Sequence, residues 1–157
     1  MAAIGLFYIS IILLYAALSD LRSLTIPNQV PVFIIGVFAV ALLWAPDSFA
    51  PISAHFFSAL ILFIVTFFMF VFNVMGAGDS KLLAALGFWI PLNELPEFIL
   101  WMTVSGALLG IFALYIKKSG HLKSQTMQSR WIADLHEGKS AVPYGVAIAI
   151  GFFDVTL

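Results

Sequence analysis

Six apolar segments, separated by short polar or helix-breaking stretches, constrain the fold of this 157-residue chain more than any other feature. They cover residues 2–19, 30–45, 54–75, 82–90, 98–116 and 142–157. Runs of about 18 or more apolar residues fit a hydrocarbon layer about 30 Å thick. With 62% apolar and 10% charged residues, the chain has too little polar surface to coat a soluble globule. The sequence therefore predicts one all-α transmembrane domain over residues 1–157, with about six membrane segments.

The fourth segment is too short to cross a bilayer by itself. From Lys81 to Ile90 a helix would span about 15 Å at about 1.5 Å per residue, roughly half of the hydrocarbon layer. The preceding turn, residues 73–81, is therefore expected below the lipid headgroups, where non-helical backbone needs protein or water around it. This predicts a water-filled cavity at the ends of the first, third and fourth segments.

The basic residues predict the orientation in the membrane. If the chain crosses at every segment, all seven Lys and Arg lie on one face. They are Arg22, Lys81, Lys117, Lys118, Lys123, Arg130 and Lys139. The connections on the other face carry only acidic charges, Asp47, Glu94 and Glu97. Because cytoplasmic loops carry an excess of Lys and Arg, we expect the basic face in the cytoplasm and both termini outside. No basic residue or small-residue cleavage site flanks the first segment, so a signal peptide is not expected.

Asp20 and Asp79 are the ionisable residues that this topology places at the cytoplasmic edge of the hydrocarbon layer. The first and third segments run in the same direction, and each delivers one of these carboxyl groups at its cytoplasmic end. Two carboxyl groups held close in a poorly solvated cleft cannot both ionise, so they share a proton and titrate as a pair. One can then act as base and the other as acid, as in aspartic proteases, without a metal or cofactor.

Each aspartate also has a purely structural interpretation. Asp20 could cap a turn or pair with Arg22, and Asp79 could cap the helix that follows it. Gly76 and Gly78 favour the functional interpretation, because glycine allows conformations and close approaches that suit a turn admitting an extended peptide.

Other hydrolytic chemistries fail on the residues present. Cysteine is absent, which excludes a disulfide, a thiolate metal site and a cysteine nucleophile within this sequence. His136-Glu137 opens like the zinc-protease motif H-E-x-x-H, but Ser140 stands where the second histidine is needed. His55 and His121 are interpreted as ordinary interfacial residues.

Three short sequence blocks lie at the predicted cytoplasmic ends of the segments. They are Asp20-Leu21-Arg22 leading into Ile26-Pro27-Asn28, then Gly76-Ala77-Gly78-Asp79 with Lys81, and then Val142-Pro143-Tyr144-Gly145. Together they resemble the type IV prepilin peptidases of the GxGD aspartic protease class. The resemblance implies that Asp20 and Asp79 are the catalytic pair. It also implies that the remaining polar, glycine and proline positions of the blocks support the site or bind substrate.

The same resemblance implies substrate, partners and location. Prepilins or pseudopilins would lose a short basic leader at the cytoplasmic side of the inner (plasma) membrane, next to a Gly and before an apolar helix that stays in the bilayer. Pilus-assembly components are further candidate partners, whereas nucleic acid and cofactors are not expected. Long bifunctional members carry paired Cys-x-x-Cys motifs and also methylate the new N-terminus. This sequence resembles instead the short form found with tight-adherence (Tad, Flp-type) pili, which predicts cleavage without methylation. Archaeal preflagellin peptidases share the aspartate pair and are a neighbouring possibility.

Two other classes of function stay open at the level of sequence. A small proton-coupled transporter or channel would use Asp20 and Asp79 as carriers that line a pathway. A structural subunit of a secretion complex would need neither aspartate. Against transport, the sequence has no inverted repeat, and Asp154, the other candidate carrier, is placed at the outer interface.

The long polar stretch over residues 117–141 contains one amphipathic pattern. Met127, Trp131, Ile132 and Leu135 recur at helical spacing. This pattern predicts a helix lying in the cytoplasmic interface, either as an anchor or as a cover over the cleft.

Overall fold

A computed structural model of the chain describes residues 2–119 and 142–156. Within these ranges the chain forms helices and turns and no strand. The six α-helices are α1 (Ala2–Ser23), α2 (Gln29–Trp44), α3 (Ile52–Val71), α4 (Ala77–Leu86), α5 (Leu95–Ser119) and α6 (Tyr144–Thr156), and a 3₁₀ turn at Pro46–Ser48 precedes α3. The predicted all-α class is confirmed.

The helices differ in their ability to cross a membrane. In the described part of the chain three stretches are long and apolar enough, Gly5–Ser23 of α1, Ile52–Val71 of α3 and Leu95–Tyr115 of α5. α2 and α6 are shorter apolar helices, and α4 has only 10 residues, as the short fourth segment predicts. The chain is therefore a multi-pass membrane protein.

Four helices form a ring, and two further helices lie outside it. α1 packs against α2 and α6, while α4 packs against α2 and touches α6. α3 lies outside the ring on α4, and α5 lies outside it on α6. The ring encloses the main core of fully buried side chains, which includes Ile9, Leu13, Ile34, Leu82, Leu86, Ile148 and Phe152.

α3 presents most of its surface to the surroundings of the protein. Its buried side chains are His55, Ser58, Ala59, Leu62 and Thr66, which form one stripe, while most of its phenylalanines are exposed. An exposed apolar surface this extensive marks contact with a membrane or a partner. In a multi-pass membrane protein this face is in contact with lipid.

α3 ends in a compact hydrogen-bonded turn. Asn73 adopts a left-handed conformation with φ of 58°, and the Val74 N–H donates to the Met69 carbonyl at 2.8 Å. This bond closes a Schellman motif, in which Asn takes the position that Gly more often occupies. The motif stops α3 and turns the chain toward α4.

α1 ends one turn later than the apolar pattern predicts, at Ser23. Leu24 takes a left-handed conformation with φ of 53°, and its N–H donates to the Asp20 carbonyl at 2.9 Å. The Ser19 hydroxyl donates to the Thr25 carbonyl at 2.9 Å and holds the reversal. Asp20 therefore belongs to the last turn of a helix and not to the loop that follows it.

α4 begins at Ala77, so the non-helical turn predicted up to residue 81 is too long. Gly76 is extended and serves as the N-cap, and the Ser80 N–H donates to its carbonyl at 3.1 Å. The prediction that both glycines lie in a turn is therefore wrong for Gly78. Polar residues can occupy the first turn of a helix, so the apolar run begins later than the helix does.

Candidate active site

Asp20 lies in the last turn of α1 and is only 5% exposed. Its Oδ2 accepts the backbone N–H of Gly145, in the first turn of α6, at 2.7 Å. A Cβ on Gly145 would lie 3.0 Å from the same oxygen, so glycine allows this close approach. The first N–H groups of a helix lack partners within it and carry partial positive charge, which stabilises a carboxylate. The N-terminus of α6 thus supports an ionised Asp20.

Asp79 lies in the first turn of α4, which is too short to span the membrane, and is half-buried. Burial, and after it the nearby charge of Asp20, raise the pKa of Asp79 from 3.8 to about 7. A hydrogen bond from the backbone N–H of Gly76 acts in the opposite direction and lowers the pKa of Asp79. In a capping box the acidic side chain likewise reaches back to the N–H of the N-cap residue. The two carboxyl groups therefore lie within electrostatic reach of each other, and near neutral pH Asp79 can hold a proton.

The loop between α1 and α2 packs directly on the first turn of α4. A Cβ on Gly78 would lie 3.2 Å from the Ile26 Cβ, so the absence of a side chain lets this loop approach. The Lys81 ammonium donates to the Asn28 side-chain oxygen at 2.9 Å, and Pro27 between these contacts is half-buried. The structure thus brings the first two sequence blocks together beside Asp79, while the third contacts Asp20.

A polar link between α3 and α4 is present in the structure but was not predicted from the sequence. The Ser80 hydroxyl donates to the Thr66 carbonyl at 2.9 Å, and the buried Thr66 hydroxyl lies 3.4 Å from the Ser80 carbonyl. Because Ser80 follows Asp79, this link fixes the first turn of α4 against α3. The position of Thr66 within an apolar membrane segment could have indicated this link, since polar side chains in such helices face other helices.

Three predicted supporting residues have different surroundings. Arg22 is exposed in the last turn of α1, where a cation complements the helix dipole. Pro143 is fully buried just before α6. The Tyr144 side chain is 41% exposed, and its ring packs against Gly106 of α5. The prediction that Tyr144 supports the site or binds substrate stays a prediction, as does the water-filled cavity.

His55, which the sequence predicts as an ordinary interfacial residue, has a buried side chain. It is 2% exposed and packs against the rings of Phe38 and Phe49, with centroid distances of 5.5 and 5.9 Å. Residues 2–119 and 142–156 contain no group of three or more His, Asp or Glu side chains that could hold a metal ion. His55 is therefore a packed core residue.

Several predictions fall outside the described residues. They include the amphipathic pattern of Met127, Trp131, Ile132 and Leu135, and also His121, His136 and Glu137. Three of the basic residues used for the orientation, Lys123, Arg130 and Lys139, lie there as well.

Comparison with known proteins identifies the family. Residues 7–111, more than half of the chain, match the type IV leader peptidase family. A stretch of 63 residues is 41% identical to the prepilin leader peptidase/N-methyltransferase of Legionella pneumophila. It covers 40% of this chain but only 21% of that relative's length. No solved structure matches the chain. The family match includes Asp20, Asp79 and the first two of the three sequence blocks, and the chain therefore belongs to the type IV leader peptidase family.

Proposed function

We propose that the chain is an aspartic endopeptidase that removes the short basic leader of prepilins or pseudopilins by means of Asp20 and Asp79. One observation carries the proposal. The two carboxyl groups come from helices far apart in sequence, yet they lie close enough for the charge of Asp20 to act on Asp79. Membership in a leader peptidase family supports peptide-bond cleavage as the reaction.

The surroundings of the two carboxyl groups support a division of roles. Asp20 accepts a short hydrogen bond from the Gly145 N–H, which favours the carboxylate. Asp79, whose pKa is raised to about 7, holds the proton that the pair shares. Asp20 is therefore proposed as the general base and Asp79 as the acid.

The proposed reaction requires one water and no cofactor. The Asp20 carboxylate takes a proton from the water while the water oxygen attacks the scissile carbonyl carbon. Asp79 donates its proton toward the carbonyl oxygen and stabilises the tetrahedral intermediate. The proton held by Asp20 then passes to the leaving amide nitrogen and the C–N bond breaks. One hydroxyl proton of the intermediate returns to Asp79 as the C=O bond forms again, so both aspartates regain their starting states.

The charges around the site support a cytoplasmic location at the inner (plasma) membrane. Arg22 and Lys81 lie at the same end of the bundle as the two aspartates, while Asp47 and Glu97 lie at the opposite ends of the helices. This distribution fits the positive-inside rule. The leader would meet the site from the cytoplasm, and the apolar stem of the substrate would stay in the bilayer.

The finer assignment to Flp-type precursors, with cleavage but no N-methylation, rests on the resemblance of the sequence. The 157 residues contain no cysteine and hence none of the paired Cys-x-x-Cys motifs of the bifunctional members. Mass spectrometry of the cleaved precursor tests this part. An unmodified new N-terminus is expected, and a mass increase of one methyl group would contradict it.

Coexpression with an Flp-type precursor tests the function. We expect Asp20→Asn and Asp79→Asn each to abolish processing, because each removes one member of the acid–base pair. Asp154→Asn, in an exposed position at the other end of α6, is the matched control and is expected to leave processing intact. Processing that survives either active-site substitution overturns the proposal. Normal processing together with a defect in solute uptake would favour a transporter.

A further inference from the structure

Asp79 and Ser80 are neighbours in the first turn of α4, but they face different parts of the protein. Asp79 lies within electrostatic reach of Asp20, whereas the Ser80 hydroxyl donates to the Thr66 carbonyl of α3 at 2.9 Å. Successive side chains point about 100° apart around an α-helix, which has about 3.6 residues per turn. The rotation of α4 about its axis therefore sets the direction of the Asp79 side chain, and the bond from Ser80 to α3 restricts that rotation.

The bond from Ser80 to α3 is short and shielded from solvent. A serine side chain has one rotatable bond before its hydroxyl, and the acceptor is a backbone carbonyl, so the link joins two helix backbones closely. Thr66 is 3% exposed, and its hydroxyl donates to the Leu62 carbonyl at 2.6 Å and lies 3.4 Å from the Ser80 carbonyl. Because hydrogen bonds are stronger in surroundings of low dielectric constant, this link resists displacement of the turn.

The other contacts of this turn restrict its rotation less. The bond from Lys81 to Asn28 is exposed and depends on a long, flexible side chain. The contact of Gly78 with Ile26 is apolar, so it limits how close the loop comes without fixing a direction. Hydrogen bonds are directional, and the bond donated by Ser80 is therefore the more specific constraint on the orientation of the turn.

A second contact with α3 lies near the other end of α4. A Cβ on Gly87 would overlap the backbone of Ala59, so the two helices touch there. This contact and the bond between Ser80 and Thr66 are seven residues apart on each helix, which is about two helical turns. Both contacts therefore lie on the face of α4 that meets α3. Without the Ser80 hydroxyl, the Gly87 contact remains as a pivot, and the turn that carries Asp79 is free to move.

We infer that the Ser80 hydroxyl is a positioning group of the candidate active site, which through its bond to α3 holds Asp79 at the distance from Asp20 at which the two carboxyl groups share a proton. The inference rests on the proposed function, since it concerns the geometry of that acid–base pair. It also gives a role in activity to α3, which carries no acidic residue of its own.

Removal of the hydroxyl tests the inference by kinetics. Ser80→Ala should lower kcat for the precursor about tenfold, or about 1.4 kcal/mol, the scale of one hydrogen bond, with KM unchanged. Ser80→Thr keeps the hydroxyl and should retain the wild-type kcat, because an open groove beside Ser80 leaves space for the methyl group. Ser10→Ala is the control, since the half-buried Ser10 hydroxyl donates within its own helix, to the Leu6 carbonyl. An unchanged kcat for Ser80→Ala, or an equal loss in Ser80→Thr or Ser10→Ala, overturns the inference.

The pH dependence of cleavage separates positioning from a merely structural role. In the wild type, burial and the charge of Asp20 raise the pKa of Asp79 to about 7. An Asp79 that moves toward water and away from Asp20 has a lower pKa, because both causes weaken. For Ser80→Ala, kcat/KM should therefore begin to fall at a lower pH than for the wild type, and Ser80→Thr should show the wild-type profile. A lowered kcat with an unshifted profile overturns the positioning role.

A distance measurement tests the same inference without catalysis. The 157 residues contain no cysteine, so spin labels can be attached through Tyr8→Cys in α1 and Ala77→Cys in α4, both at exposed positions. Pulsed electron paramagnetic resonance should show a broader distribution of label distances when Ser80→Ala is added, but not when Ser10→Ala is added. A distribution that Ser80→Ala leaves unchanged overturns the inference. Failure of the proposed function is distinguishable, because the wild type would then not process the precursor, or Asp79→Asn would still do so.

Discussion

The two ends of α4 show opposite ways of placing side chains in a membrane protein. At its N-terminal end Asp79 is half-buried, Lys81 is exposed, and a loop and the start of another helix lie close by. Beyond its C-terminal end Trp89 is 5% exposed, contacts the rings of Phe38 and Phe49, and donates its indole N–H to the Ile34 carbonyl at 3.1 Å. The C-terminal end is therefore dominated by packed aromatic side chains and the N-terminal end by polar groups. Substitutions at the two ends should therefore separate stability from activity.

The largest expected effect is on stability, at the packed end. Trp89→Ala removes a buried indole and leaves a cavity, which should lower the free energy of unfolding by about 3 to 5 kcal/mol. Trp101→Ala is the matched control, because Trp101 of α5 is 40% exposed. Thermal unfolding in detergent measures both. A loss for Trp89→Ala no greater than that for Trp101→Ala would show that the packing around Trp89 does not contribute specially to stability.

A large effect on activity is expected at the polar end. Gly145→Ala places a Cβ 3.0 Å from Asp20 Oδ2, which disturbs the hydrogen bond that holds the proposed base. We expect kcat to fall about 100-fold, the scale found when one preorganised donor is lost, with the protein still folded. Gly110→Ala is the control, because a Cβ there meets nothing within 4 Å. Equal activity of the two variants in a cleavage assay would show that this contact does not position Asp20.

A smaller effect on stability is expected at Asp79, where a substitution should stabilise the protein and not destabilise it as Trp89→Ala does. Its pKa is about 7 in the folded protein against 3.8 for the free side chain, so between these values the folded state binds more protons. The free energy of unfolding of the wild type should therefore fall as the pH rises through this window.

Replacement by Asn removes this pH dependence. Asp79→Asn should unfold at a higher temperature than the wild type at about pH 8, and the difference should shrink toward about pH 4. Asp154→Asn, which alters an exposed carboxylate, should show no comparable trend. An Asp79→Asn variant less stable than the wild type at the higher pH would contradict the raised pKa.

The smallest expected effect concerns the contact between Lys81 and Asn28. This hydrogen bond is exposed, and such contacts contribute less than about 1 kcal/mol. A double-mutant cycle with Asn28→Ala and Lys81→Met, followed by thermal unfolding, should give a coupling energy below that value. A larger coupling would mean that this contact, and not the Thr66–Ser80 link, fixes the first turn of α4.

Much of the fold and of the site could be predicted from the sequence. Hydropathy predicted six helices and a short fourth one, and the direction of the first and third segments placed Asp20 and Asp79 at one depth. The match to the family covers the first two sequence blocks, while the third block lies outside the matched residues. The number and lengths of helices follow from counting residues, which is why the helix predictions succeed, whereas the shared depth of Asp20 and Asp79 stays a prediction.

Contacts between helices could not be predicted in the same way. The link of Thr66 to Ser80 and the burial of His55 depend on how each helix is rotated about its axis and on which neighbour it meets. α3 is apolar on nearly all sides, so its pattern does not indicate which face is buried. The role of Gly78 was likewise hidden, because a helical glycine in close packing looks the same in sequence as a glycine in a turn.

The pH dependence of cleavage by the purified protein tests the central claim most directly, namely that Asp20 and Asp79 work as a coupled acid–base pair. Because the free enzyme must hold a proton on Asp79, kcat/KM for the precursor should fall as the pH rises through about 7. A kcat/KM that stays constant or rises between about pH 6 and about pH 8 would contradict this assignment.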